Sequence, residues 1–174
     1  MTKGLYDNRT SVWASNRPIV DEPPYVYPSG GTIVKSGASY VESGTTLARD
    51  EQLFFPARGS KHFNVGSHLY FLSKNLVTGG TINLTISGTN PSTTFSGYVQ
   101  YSASVIFVTA NTATLTFINA AYHPVYISGT FYHGNATSGI GYAGVYWSFS
   151  GGGANLSGMS IQSGSRLDWY MADY

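Results

Sequence analysis

The sequence predicts an all-β protein: an antiparallel β-sandwich or jelly roll of about eight strands with an extended N-terminal arm. Three observations predict it. From about residue 62, short runs of Val, Ile, Thr, Tyr, Phe and Trp recur every 8–14 residues or so, the rhythm of a sandwich or barrel. Several runs alternate at period two, as in Ile82, Leu84 and Ile86 against Asn83 and Thr85, which turns one face of a pleated strand inward. No stretch in this region repeats at the helical period.

The arm comes first. Residues 1–45 are rich in backbone breakers, among them Pro18, Pro23, Pro24, Pro28, Gly30 and Gly31. Prolines fix φ and favour extended chain without internal hydrogen bonds. The segment also carries Trp13, Ile19, Tyr25 and Tyr27, too much apolar surface for a solvated linker. These four are expected to be the arm's contacts with another surface. Residues 1–60 are accordingly assigned to the arm and 61–174 to the β domain. Within the arm, 46–55 could form a short helix, with Leu47, Asp50 and Phe54 near helical spacing and Pro56 ending it. Leu53, Phe54 and Phe55 could equally open a strand.

The strands follow, expected at 68–73, 81–87, 95–101, 103–109, 112–119, 125–132, 142–149, 156–162 and 167–170. Turn chemistry separates them, as at Gly79-Gly80, Asn90-Pro91 and Gly151-Gly152-Gly153.

Charged residues make up 10% of the 174-residue chain, less than half the usual share of about 25%. Residues 75–165 contain no Asp, Glu, Lys or Arg. β-sandwiches normally guard outer faces and edges with charge. Its absence has competing explanations. Either the faces are covered by other subunits, where neutral groups cost less to desolvate, or they are adapted to a neutral ligand such as glycan, or they simply belong to a polar monomer. The net charge of +1 supplies no field for nucleic acid or an anionic membrane, so neither is expected as a partner.

No cysteine is present, which rules out disulfides and thiolate metal sites. The opening residues lack the apolar core of a signal peptide, and no run reaches the length of a membrane helix; synthesis in a host cytoplasm is expected. Gly139-Ile140-Gly141-Tyr142-Ala143-Gly144 spells a dinucleotide fingerprint but is followed by strand-like Val145–Phe149 rather than a helix. Residues His62, His68, His123 and His133 have no nearby carboxylates in sequence to complete a metal site, and the carboxylates lie towards the two ends of the chain. No catalytic residue, metal ligand or cofactor is assigned, and the protein is expected not to be an enzyme. The threonine row of Thr112, Thr114 and Thr116 is not repeated as an ice-binding face would require. Exposed tyrosines combine large contact area with a polar handle; Tyr122, Tyr126, Tyr132, Tyr142 and Tyr146 are the candidate interface or glycan contacts.

An extended Pro-containing arm followed by a cysteine-free, Ser/Thr/Gly/Tyr-rich β domain resembles the virion structural proteins of tailed bacteriophages, of the head-decoration, head-fibre, small tail or baseplate kind. The resemblance is one of composition across the whole chain and transfers no functional residue. It implies a non-catalytic virion component, commonly a homotrimer, whose arm anchors to capsid or tail subunits. The alternative expectation is a receptor- or glycan-binding, lectin-like module meeting host-surface glycan.

Overall fold

In the computed structural model the described residues are 29–41, 44–73, 80–102, 104–109, 112–117, 122–134, 140–150 and 159–172. They form strands β1 Gly30–Val34, β2 Ser39–Val41, β3 Gly44–Arg58, β4 Lys61–Ser73, β5 Gly80–Gly88 and β6 Thr94–Tyr101. These are followed by β7 Ser104–Thr109, β8 Ala113–Phe117, β9 Tyr122–His133, β10 Ile140–Ser150, β11 Met159–Ile161 and β12 Arg166–Ala172. No helix occurs among the described residues.

Period-two patterning sets which side chains go inside. β5 buries Ile82, Leu84 and Ile86, and β9 buries Val125, Ile127 and Phe131. The strands assemble into two antiparallel sheets. The larger runs β1-β12-β4-β9-β6-β7, with β11 continuing the line of β12 along β4 and β2 beyond it; the smaller runs β3-β10-β5-β8. Pairing is nested: β1 with β12, β3 with β10, β4 with β9 and β5 with β8. Successive pairs fall alternately in the large and small sheets. A long hairpin of four nested strand pairs, eight strands in all, wrapped over itself in this way is a jelly roll. The β6–β7 hairpin is inserted between β5 and β8 and widens the large sheet past β9.

Aromatic residues fill the space between the sheets. Phe55 of the small sheet stacks on Trp169 of the large one, with centroids 4.3 Å apart and planes within 5°. Phe63 meets both rings edge-on, and Trp147 packs against Phe71 at 5.4 Å. Burying one such ring is worth about 1.5–3 kcal/mol.

Residues 30–58 depart from the expectation. The sandwich takes in the chain from Gly30, because β1, β2 and β3 are integral strands, so the β domain does not start at 61. Of the two readings of 46–55, the strand holds and the helix does not: the segment lies in β3. The helical impression has a physical origin. Opposite β10, the register jumps from Phe54↔Gly144 to Arg49↔Tyr146, so residues 50–53 bulge out against a single partner residue. In that bulge Asp50 Oδ1 accepts the N–H groups of Gln52 at 2.9 Å and Leu53 at 3.0 Å, as a capping residue does at the start of a helix. Pro56 is tolerated because β3 is an edge strand. Trp13, Ile19, Tyr25 and Tyr27 lie outside the described residues.

Candidate functional site

The registers bring distant residues into one row across the outer face of the large sheet. Thr32 pairs with Asp168, Asp168 with Gly66, Gly66 with Ser128, Ser128 with Tyr98, and Tyr98 with Phe107. The next row holds Tyr170, Asn64 and Thr130. Small residues in the centre and larger ones around them leave an open trough of about 350 Å³, lined by Asn64, Gly66, Ser128, Thr130, Asp168 and Tyr170.

The polar groups of the trough are held in place. Thr32 Oγ1 donates to Asp168 Oδ1 at 2.6 Å, and Arg166 Nε donates to Asp168 Oδ2 at 2.7 Å. Partial burial works against the Asp168 charge, but the hydrogen bonds from Thr32 and Arg166 and the positive charges of Arg166 and His68 outweigh it. The carboxyl group therefore titrates below its ordinary value. Thr130 Oγ1 donates to Asn64 Oδ1 at 3.3 Å, which directs the amide NH₂ away from Thr130. His68 and Tyr126 stand edge-to-face at 4.7 Å in the adjoining row. Tyr170 is 60% exposed.

The five tyrosines expected as contacts do not form one site. β9 projects Tyr122, Tyr126 and Tyr132 from the outer face of the large sheet, whereas β10 projects Tyr142 and Tyr146 from the small sheet. Tyr122, Tyr126 and Tyr142 are exposed, and Tyr132 and Tyr146 are half-buried. On the small sheet the Arg49 guanidinium lies 4.1 Å over Phe54 and 5.5 Å from the Tyr142 ring, so Tyr142 belongs to an intramolecular cation–π cluster.

A second surface lies at the end of the large sheet. β7 is its edge strand, and it turns Phe107, 82% exposed, and Val105 to solvent. Neither β7 nor its neighbour β6 carries a charge. Edge strands are normally protected by Lys, Pro or a bulge, because unpaired backbone groups beside apolar side chains recruit other strands.

In the G-x-G-x-x-G letters, Gly141 and Gly144 are explained by packing, and Gly139 lies outside the described residues. Residues 140–150 are one strand; a Cβ at Gly141 would sit 2.6 Å from the His133 ring, and one at Gly144 would sit 2.6 Å from Phe54 Cβ. His133 is fully buried at the end of β9, and its Nε2 has no hydrogen-bond partner among the described residues. No group of three or more His, Asp or Glu able to hold a metal occurs among the described residues.

No protein-family model matches the chain, and no curated protein matches it in sequence. Among solved structures it is similar to a chain in the structure of infectious bursal disease virus Gx strain, at 11% identity and a TM-score of 0.25, with 82% of this chain covered. This chain spans 38% of the length of that neighbour.

Proposed function

We propose that the protein is a non-catalytic virion structural component, a capsid decoration, head-fibre or tail-associated subunit that joins copies of itself and neighbouring virion proteins. The observation that carries this reading is Phe107 on an uncharged edge strand. Its 82% exposure leaves about 1.5–3 kcal/mol of burial per copy to be gained in an assembly. Three copies meeting with these edges around an axis would bury the three rings together, as expected of a homotrimer. The absence of charge from residues 75–165 supports the same reading, since the covered faces then carry no ions to desolvate. So does the connectivity, which viral capsid and lectin domains both use. Residues 1–28, bearing Trp13, Ile19, Tyr25 and Tyr27, serve in this reading as the arm that docks on a neighbour.

The test is a sedimentation series on the full chain and on a chain lacking residues 1–28. The proposal expects a discrete oligomer from the full chain. It also expects the truncated chain to keep its thermal transition, because the sandwich begins at β1. A full chain that stays monomeric at every concentration would overturn it.

A further inference from the structure

Gly66 lies in the interior of β4, paired on one side with Asp168 of β12 and on the other with Ser128 of β9. Glycine in a strand interior weakens the strand, and it commonly marks a place where a ligand or another backbone comes close. Packing accounts for the glycines nearby. A Cβ at Gly129 would lie 2.6 Å from Gly97 Cα, and one at Gly97 would lie 2.7 Å from Gly129 Cα. Gly66 has no such reason. A Cβ there would find its nearest neighbour, the Ile127 carbonyl, at 3.9 Å, an ordinary contact distance. The fold would accept a side chain at 66, and that side chain would fill the trough.

The groups around the trough define what could occupy it. Asp168 presents an ionised carboxylate with two of its acceptor positions taken by Thr32 and Arg166, leaving others for hydroxyl donors. Asn64 offers an amide NH₂, because its oxygen is engaged by Thr130. Tyr170 adds an exposed aromatic ring. The Asp168 charge is balanced by Arg166 at 2.7 Å, so the carboxylate carries no uncompensated charge with which to select a cation. Fixed acceptors, a free amide donor and an aromatic platform, all on a neutral floor, are complementary to a ring that has hydroxyls at its rim and C–H groups on its face.

We infer that this trough is a binding site for a neutral saccharide, with Tyr170 stacking on the sugar, Asn64 donating to it and Asp168 accepting from it. The site lies on the β12–β4–β9 face, apart from the β7 edge, so it neither requires the assembly reading nor fails with it.

The experiment applies the full chain to an immobilised panel of neutral hexose and N-acetylhexosamine oligosaccharides, with sialylated and sulfated ones alongside. Binding of at least one neutral glycan is expected. It should weaken about tenfold in Tyr170→Ala through loss of stacking and by a similar factor in Asn64→Ala. Gly66→Val should abolish it by filling the floor while the melting temperature is retained. Tyr142→Ala, on the opposite sheet, should bind as the parent does. The inference is overturned by no glycan bound, by preference for the anionic members, or by binding indifferent to Gly66→Val and Tyr170→Ala. A change of oligomeric mass in Gly66→Val without glycan binding would instead mark the trough as a protein contact, which also overturns it.

Discussion

Lys35 Nζ lies 2.9 Å from Asp50 Oδ1, and both side chains are wholly buried. The pair joins the two sheets. Lys35 directly follows β1, where its N–H donates to Ser165 O and its carbonyl accepts from Gly164 N–H, each at 2.8 Å; Asp50 sits in the bulge of β3. Ser39 Oγ accepts from the same ammonium. Breaking a buried ion pair at one partner leaves an uncompensated charge and costs about 3–5 kcal/mol. Asp50→Ala should therefore lower stability by about that much. Asp50→Asn should cost less, because its amide oxygen can still accept the Gln52 and Leu53 N–H groups. Chemical denaturation of the two variants measures the difference; equal losses would mean that the bulge hydrogen bonds contribute nothing.

Two glycines on neighbouring strands should respond oppositely to alanine. Gly129→Ala places a methyl group 2.6 Å from Gly97 Cα and against the Ser96 carbonyl. Neither backbone can step aside, so the substitution should cost about 1–3 kcal/mol or more. Gly66→Ala meets nothing closer than 3.9 Å and should leave stability unchanged or raise it by about 0.4–1 kcal/mol. Thermal unfolding of the two variants is the check.

His133 makes stability depend on pH. Burial lowers its pKa below the ordinary value of 6.5, against an upward pull from the Arg58 and Ala57 backbone. The unfolded chain thus takes up a proton before the folded one does. Stability should be complete above pH 6.5 or so and fall as the pH drops from there towards the folded value, by about 1.4 kcal/mol for each unit of depression. His133→Gln should flatten this dependence in denaturant midpoints between pH 5 and 7.5 or so. A parent protein with constant stability across that window would contradict the assignment.

The nine strands expected beyond residue 62 correspond to β4–β12, since period-two patterning and β-branched residues are local signals. Of the three strands before them, β1 and β2 were not legible and β3 only as one of two readings of 46–55, because Pro, Gly and an Asp-capped bulge imitate a loop and a helix turn. The two surfaces were hidden for a different reason. Phe107 lies in Val105-Ile106-Phe107-Val108, apolar on both faces, and only the sheet order shows that Ile106 and Val108 turn inward. Asn64, Gly66, Ser128 and Asp168 are separated by up to about a hundred positions, and only strand register makes them neighbours. The five tyrosines fall on two surfaces because β9 and β10 are consecutive in sequence but lie in opposite sheets.

The central claim is that the uncharged β7 edge is where copies meet. The most direct measurement is the sedimentation mass of the full chain beside Phe107→Glu, with circular dichroism to verify that both are folded. Phe107 is already exposed, so the charge should not disturb the fold, but in a subunit contact it would have to be desolvated. The account predicts an oligomer for the parent and a folded monomer for Phe107→Glu. Identical masses for the two proteins would contradict it.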